Sequence, residues 1–193
     1  RIMVVTGRAH RAAVEEQLPE LIDSNVVLES EPKESSAAIG LAAAILVRRE
    51  PDVIIGSFAA DHVIGDVRGF HRAVTEAVVA ADQGYIATIG ITPTEPAIGF
   101  GYIHCTGSLG IPGAPSAVRA DRFVEKPELD VAKQYLEDGN YLWNAGMFIS
   151  RADQLLEQLG ESQPELLAGL TELAQAWDTD RRGAVVDRVW PKL

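Results

Sequence analysis

The sequence predicts an α/β fold in which helices flank a mixed, mainly parallel β-sheet. Two observations support this prediction. Short runs of apolar, β-branched residues such as 53–55 lack polar alternation, which is typical of strands covered on both faces. These runs alternate along the chain with helical patterns of roughly ten to fifteen residues, and such alternation produces crossover connections between parallel strands.

The first half of the chain contains four apolar runs and three helical patterns in alternation. The expected strands are 2–6, 26–28, 53–55 and 85–91, and the expected helices are 12–22, 37–49 and a segment from Asp66 to near Gly84. Ser35 and Ser36 are placed to cap the alanine-rich second helix, which stops before Pro51.

The second half introduces antiparallel pairing. Residues 99–104 and 117–123 are expected to form a hairpin, because the segment between them is rich in glycine, proline and serine. A short helix over 131–136 ends at Gly139, and another strand follows. The remaining expected elements are a strand over 141–149, helices over 152–159 and 164–177, and packing positions for Trp177 and Trp190.

Composition limits the class of protein. The 193 residues, 47% of them hydrophobic, are expected to form a single domain with one substantial core. No apolar run approaches the roughly 20 residues that cross a bilayer, and the one cysteine, Cys105, has no partner for a disulfide, so we expect a cytoplasmic protein. The net charge of -11 argues against a nucleic-acid partner, and the lack of a long apolar run argues against a membrane partner.

Four groups of residues could take part in binding or catalysis, and each has a structural alternative. Asp61 follows the strand at 53–55, where a carboxylate could bind Mg²⁺ or could instead cap the next turn or helix. Glu125 and Lys126 could accept sugar hydroxyls and hold a phosphate, or could form a solvated ion pair. Asn144 could bind a sugar or form a turn, and Gly101 could admit a ligand or mark a bulge.

The order of these groups resembles one enzyme family. The segments that carry the resemblance are 56–62 (GSFAADH), 93–103 (PTEPAIGFGYI), 123–127 (FVEKP) and 142–148 (LWNAGMF). They closely resemble the sugar-nucleotide pyrophosphorylases, in the branch of the mannose-1-phosphate guanylyltransferases, which are also called GDP-mannose pyrophosphorylases. The resemblance implies a Rossmann-like, GT-A-like nucleotidyltransferase fold.

The resemblance also assigns roles to residues. Asp61 matches the magnesium-binding aspartate, and Lys126 matches the lysine near the sugar phosphate; both are expected to act in catalysis. Gly101, Glu125 and Asn144 match positions that contact the sugar.

The contact with the nucleotide base is expected from Glu31, Lys33 and Ser35. Here the sequence departs from the family, which usually has Asn-Thr where residues 34–35 are Glu-Ser, so Lys33 would supply the basic group.

The implied reaction makes GDP-mannose and pyrophosphate from GTP and mannose 1-phosphate with the help of Mg²⁺. Two alternatives stay open: a pyrophosphorylase for another sugar phosphate or nucleotide, and a non-catalytic regulator that binds nucleotide sugars. A homodimer is also left open. The family's glycine-rich phosphate-binding segment would precede Arg1, and a second metal-binding aspartate would follow Leu193, so the 193 residues alone are expected to turn over little substrate.

Overall fold

A computed structural model describes residues 1–193 and confirms the α/β class. The strands are β1 (Val4–Gly7), β2 (Val26–Glu29), β3 (Ile54–Ser57), β4 (Ala87–Ile91), β5 (Tyr102–Ser108), β6 (Val118–Val124) and β7 (Tyr141–Arg151). The helices are α1 (Arg11–Gln17), α2 (Ser35–Arg49), α3 (Val67–Asp82), α4 (Leu129–Asp138), α5 (Ala152–Ser162), α6 (Pro164–Trp177) and α7 (Arg182–Val189). No helix is both long enough and apolar enough to span a bilayer.

The chain forms two compact units. The first unit consists of Arg1–Val53 and Ala152–Leu193, and the second consists of Ile54–Arg151. All the predicted strands and helices occur, with ends that differ by a few residues. Helix α7 was not predicted, because a glycine and charged residues interrupt its apolar pattern, although its valines pack on the core of the first unit.

The core of the first unit packs α2 against α6 and against the parallel pair of β1 and β2. Trp177 and Trp190 are buried in it, as predicted, and Trp190 is only 1% exposed. Each indole N–H donates to a backbone carbonyl, Trp177 to Ser24 at 3.0 Å and Trp190 to Glu31 at 2.9 Å. The two rings therefore fix the loops on either side of β2 without leaving a buried donor unpaired.

The prediction that Ser35 and Ser36 cap α2 is wrong. Ser35 is already the first helical residue, and the extended residue before it, Glu34, occupies the cap position without a side-chain hydrogen bond. The backbone carbonyl of Glu34 instead accepts from the N–H groups of Ala37 and Ala38 at 3.0 and 3.4 Å. A serine can cap only from the residue with extended backbone, and the chain changes conformation one residue earlier than the pattern suggested.

The second unit contains a five-stranded sheet whose pairs are all antiparallel. Parallel and antiparallel pairs both occur, as predicted, but in separate sheets; the expectation that parallel pairs predominate is wrong, because β1 and β2 form the one parallel pair. The apolar run at 53–55 indicated burial and not direction. The neighbour of β3 is the long strand β7, which runs the opposite way.

Two helices cover this sheet. Helix α3 packs Ala77 and Ala81 on Ile149 of β7, and α4 packs Ala132 against Tyr102 and Tyr141. Gly139 ends α4 with φ +75°, as predicted for the left-handed position after a helix. The predicted antiparallel hairpin of β5 and β6 is confirmed, with two irregularities in its register.

Arg49 connects three parts of the first unit. Its guanidinium donates to both carboxylate oxygens of Asp178, at 2.7 and 3.0 Å, in a forked arrangement. It also donates to the side chain of Asn25 at 2.8 Å and to the carbonyl of Ser24 at 3.1 Å. The hydrogen bonds from Arg49 hold the pKa of the Asp178 carboxyl below its usual 3.8.

This lowered pKa makes part of the stability depend on pH. The unfolded Asp178 takes up a proton first as the pH falls, so the stabilisation is present above 3.8 and is lost as the pH falls through the lower pKa of the folded state. Because the pair is half exposed, we expect Asp178→Asn to lower the free energy of unfolding by about 1 kcal/mol near pH 7 and by progressively less below 3.8. Urea unfolding across this pH range measures the difference.

The matched control is Asp180→Asn, two residues along and exposed to solvent. It should change the free energy of unfolding little at any pH. A difference for Asp178→Asn that stays constant with pH would contradict the assigned role of its charge.

Candidate functional site

Strand β7 organises the candidate site in the second unit. Phe148 pairs with both β3 and β4, and Trp143 pairs with both β4 and β5. Because a strand residue has one partner on each side, β4 lies along one side of β7, and β3 and β5 share the other. The end of β3 and the beginning of β5 therefore flank the stretch 144–147 of β7.

This stretch of β7 is a bulge. The register with β4 passes from Thr88 opposite Phe148 to Gly90 opposite Asn144, so β7 has extra residues between the two pairs. Gly146 has φ +66°, a conformation that glycine adopts at little cost. Its N–H donates to the Asn144 side-chain oxygen Oδ1 at 3.0 Å, which closes an Asx turn.

Three of the predicted site residues meet beside this bulge. A Cβ atom on Gly101 would lie 2.8 Å from Glu125 Oε2 and 3.6 Å from Asn144 Cβ. The backbone N–H of Asn144 donates to the carbonyl of Gly101 at 2.8 Å, which holds the two chain segments together. The absence of a side chain at Gly101 thus lets the Glu125 carboxylate come close to the backbone of Gly101, beside Asn144.

Lys126 lies next to this group with an unusual backbone. It is the only non-glycine residue with positive φ, at +43°. The following residue, Pro127, is buried and disfavours the right-handed helical region for the residue before it. The ammonium lies 3.5 Å from Glu125 Oε1, and the two side chains are 65% and 71% exposed, so this ion pair contributes little to stability. The surrounding structure therefore holds Lys126 in a strained backbone conformation that this ion pair does not explain.

Asp61 lies on the loop that leaves the end of β3. Ser57, the last residue of β3, pairs with Phe148, at one end of the bulge in β7. Asp61 is exposed to solvent and has no hydrogen bond within the chain, so the alternative that it caps the next helix does not hold; Asp66 caps α3 instead, by accepting from Gly69 N–H at 2.9 Å.

The chain nowhere gathers three or more His, Cys, Asp or Glu side chains into a metal site. A lone exposed carboxylate suits Mg²⁺, which usually keeps several waters and takes one or two protein carboxylates together with phosphate oxygens. The donor at Asp61 therefore fits Mg²⁺ and does not fit a closed structural metal site.

The residues expected to contact a base lie in the first unit, from the loop after β2 to the first residue of α2. The ammonium of Lys33, whose side chain is 16% exposed, lies 2.8 Å from Glu31 Oε1. It also donates to the carbonyls of Leu193 and Pro191 at 2.9 and 3.3 Å. Its three N–H donors all have acceptors within the chain, so a ligand acceptor would have to replace one of them. Ser35 is exposed at the start of α2.

The sequence analysis missed Glu29 in the same segment. Its Oε1 atom is buried without a hydrogen-bond partner, as is the hydroxyl oxygen of Ser30. Burial raises the pKa of the Glu29 carboxyl, and a hydrogen bond from the backbone N–H of Lys33 partly opposes this shift. Glu29 is the last residue of the apolar strand β2, where a polar residue is expected, so the sequence pattern gave no sign of its buried carboxylate oxygen.

The sequence analysis also missed Thr88. Its hydroxyl donates to the carbonyl of Met147 at 3.0 Å and lies 3.3 Å from Asn144 Oδ1. Threonine is common in strands, so one threonine in the run 85–91 carries no signal by itself. Only the bulge in β7 brings it to the candidate site.

The chemistry of the assembled group suits a ligand that has both hydroxyl groups and a negatively charged group. Glu125 offers acceptors, the Asn144 amide offers donors, Gly101 lets these two side chains lie close together, and Lys126 supplies a cation. These four residues offer hydrogen bonds and one positive charge to a bound ligand, so the arrangement is suited to positioning reactants.

A model of the nucleotidyl transferase family matches residues 1–190. The Xanthan biosynthesis protein XanB of Xanthomonas campestris pv. campestris (strain B100) is 38% identical over 189 residues, which cover 97% of this chain and 38% of that protein. The mannose-1-phosphate guanylyltransferase of Escherichia coli is 38% identical over 178 residues, which cover 91% of this chain and 38% of that enzyme. The chain thus spans about two fifths of the length of these relatives.

Two solved structures share the fold. The crystal structure of mannose-1-phosphate geranyltransferase from Thermus thermophilus superposes with a TM-score of 0.84 and 24% identity, covering 99% of this chain and 52% of that one. The crystal structure of mannose-6-phosphate isomerase from Helicobacter pylori gives a TM-score of 0.75 and 26% identity, covering 90% and 64%. These structures confirm the predicted nucleotidyltransferase-like α/β fold.

The backbone at Lys126 generates a prediction on stability. Lys126→Gly and Lys126→Ala both remove the ammonium, but only glycine adopts φ +43° without strain. We expect Lys126→Gly to unfold with a free energy about 1 kcal/mol higher than Lys126→Ala, measured by urea denaturation.

At Lys133, inside α4, the same two substitutions should rank in the opposite order, because glycine weakens a helix relative to alanine. If Lys126→Ala were at least as stable as Lys126→Gly, as is expected of the pair at Lys133, then Lys126 would not be strained.

Proposed function

Because the chain belongs to the nucleotidyl transferase family, we propose that the protein containing it is a mannose-1-phosphate guanylyltransferase, which makes GDP-mannose and pyrophosphate from GTP and mannose 1-phosphate. The single match that runs over residues 1–190 supports treating the two units as one nucleotidyltransferase domain in this proposal. A cytoplasmic location is part of the same proposal.

The observation that carries the proposal is the convergence of Gly101, Glu125 and Asn144 next to Lys126. A sugar phosphate needs hydrogen-bond acceptors and donors for its hydroxyls and a cation for its phosphate, and this group supplies all of them. The identity of 38% to an enzyme named mannose-1-phosphate guanylyltransferase supports mannose as the sugar and GTP as the nucleotide.

The proposed reaction is an in-line displacement at phosphorus. A phosphate oxygen of mannose 1-phosphate forms a bond to the α-phosphorus of GTP, the bond from this phosphorus to the bridging oxygen of the β-phosphate breaks, and pyrophosphate leaves with the electron pair. The residues do not form a covalent intermediate in this scheme. Their role is to align the two reactants and to offset charge where negatively charged groups meet.

Each residue of the site has one part in this scheme. The Lys126 ammonium neutralises charge on the sugar phosphate. Glu125 accepts from a sugar hydroxyl, Asn144 donates to one, and the absent side chain of Gly101 lets Glu125 lie close to Asn144. Glu31, Lys33 and Ser35 remain the proposed contacts of the guanine base in the first unit.

Asp61 is the proposed ligand of Mg²⁺, since an exposed carboxylate on a loop after a strand suits this ion. When bound, Mg²⁺ would supply positive charge that offsets the charge of the phosphates. With a net charge of -11, the chain has no general attraction for anions, so its cations have to act locally.

A second candidate is a pyrophosphorylase for another sugar phosphate or nucleotide. The hydrogen-bond partners of Lys33 favour keeping this candidate, because an ammonium that is already paired gives no clear preference for guanine. Rates measured with a panel of nucleotides and sugar phosphates, using the whole protein that contains this chain, distinguish the two. Turnover of GTP with mannose 1-phosphate at a far lower kcat/KM than with another pair would overturn the proposal in favour of this candidate.

The role of Asp61 predicts a large loss of activity. In the whole protein, Asp61→Asn should lower kcat/KM by ~100-fold or more and weaken the dependence on Mg²⁺, because an amide is a poor ligand for this ion. Since Asp61 is in solvent, the melting temperature should not change. The matched control is Asp82→Asn at the exposed end of α3, which should leave the rate as it is. Near-normal turnover by Asp61→Asn would exclude the metal role.

The close approach of Glu125 to Gly101 predicts that a substitution at Gly101 lowers the affinity for mannose 1-phosphate selectively. A methyl group there would lie 2.8 Å from Glu125 Oε2, so Gly101→Ala should push the flexible carboxylate aside and leave the fold intact. We expect the KM for mannose 1-phosphate to rise ~10-fold, the value of about one charge-assisted hydrogen bond, with little change in the KM for GTP.

Gly99→Ala is the control for this substitution, since nothing lies within 4 Å of the added methyl group. It should leave both KM values unchanged. Equal effects of the two substitutions would remove the basis for placing the sugar at Gly101.

A further inference from the structure

The hydroxyl of Thr88 lies at the centre of the bulge in β7. Its single proton faces two acceptors, the carbonyl of Met147 at 3.0 Å and the side-chain oxygen Oδ1 of Asn144 at 3.3 Å. Met147 lies in the part of β7 whose regular pairing with β4 is interrupted. Thr88 therefore replaces a hydrogen bond that the bulge removes from the sheet, and it connects this bond to a residue of the site.

The same contacts determine how the amide of Asn144 is oriented. The N–H of Gly146 donates to Oδ1 at 3.0 Å, and a donor can bond only to the oxygen of the amide. With Thr88 and Gly146 on the oxygen, the acceptor of this amide is occupied by the protein. Its nitrogen Nδ2 has no partner in the chain, so the group left for a ligand is a pair of N–H donors.

We propose that Thr88 is a positioning residue that makes Asn144 a donor, and only a donor, to the bound sugar; this inference rests on the proposed function. The polarity of the site then follows. The Glu125 carboxylate, which lies close to Gly101, can only accept a hydrogen bond from the ligand, and the Asn144 amide can only donate one. One sugar hydroxyl satisfies both, because it donates its proton to Glu125 and accepts from Asn144 with its oxygen.

This polarity has a consequence for specificity. A sugar hydroxyl in this position uses its donor and its acceptor together, so an analogue that has lost the hydroxyl leaves both protein groups unpaired. If Asn144 could rotate freely, either end of its amide would face the ligand, and the site would discriminate less. Thr88, together with the N–H of Gly146, removes that freedom without contacting the sugar.

The experiment compares Thr88→Val with Thr88→Ser in the whole protein that contains this chain. Valine keeps the shape and removes the hydroxyl, whereas serine keeps the hydroxyl. We expect Thr88→Val to raise the KM for mannose 1-phosphate by about 5- to 10-fold, as loss of one hydrogen-bonded contact would, with kcat and the KM for GTP nearly unchanged. Thr88→Ser should restore the KM of the wild type.

A purely structural role of Thr88 gives a different result. It would lower the melting temperature without moving the KM for mannose 1-phosphate selectively, or would change both KM values together, and either outcome overturns the proposal. A failure of Thr88→Ser to restore the KM also overturns it.

A second variant tests the donor directly and does not depend on whether Thr88→Val folds. Asn144→Asp keeps an oxygen for Thr88 and Gly146 but replaces the Nδ2 donors by an acceptor. We expect it to raise the KM for mannose 1-phosphate at least as much as Thr88→Val, and the double variant Thr88→Val/Asn144→Asp to be no worse than Asn144→Asp alone. Normal affinity in Asn144→Asp, or additive effects in the double variant, would contradict the proposal.

The wild-type protein separates this inference from the proposed function. A wild type that does not join GTP and mannose 1-phosphate contradicts the function before any variant is measured. A wild type that does so, with Thr88→Val behaving identically, contradicts only the role of Thr88.

Discussion

The second unit depends on the hydrogen bonding of β7. This strand of 11 residues pairs with β4 on one side and with β3 and β5 on the other, so it contacts three of the other four strands of its sheet directly. The end of β3 and the beginning of β5 can meet the same side of β7 only if a stretch between them stays unpaired. The bulge at 144–147 occupies that stretch, and the candidate site forms around it.

At the bulge, backbone N–H and C=O groups of β7 lack the partners that a regular ladder of strands would provide, and side chains bond them instead. Backbone pairing satisfies N–H and C=O groups of neighbouring strands, whereas at the bulge the Asx turn of Asn144 and the hydroxyl of Thr88 do so. The amide that results is fixed in orientation and has free donors. Local strain accompanies this arrangement at Lys126, where a buried proline follows a charged residue at positive φ.

In the first unit, side-chain hydrogen bonds fix the loops on either side of β2. Trp177 and Trp190 donate from buried indoles to carbonyls of those loops, and Arg49 adds a forked ion pair with Asp178 and two further hydrogen bonds. The two indole contacts join residues 153 and 159 positions apart in the sequence, so they close the unit around its core. They hold the segment that contains Lys33 and the buried carboxyl of Glu29 close to α2, where the base contact is proposed.

The sequence by itself determined the α/β class, the hairpin of β5 and β6 and the end of α4 at Gly139, because each depends on local spacing or on residue type. Only the tertiary structure decided the direction of the strands, the missed helix α7, the partners of Lys33 and the involvement of Thr88. The physical reason is that periodicity records how deeply a residue is buried, whereas the neighbour that buries it comes from distant parts of the chain.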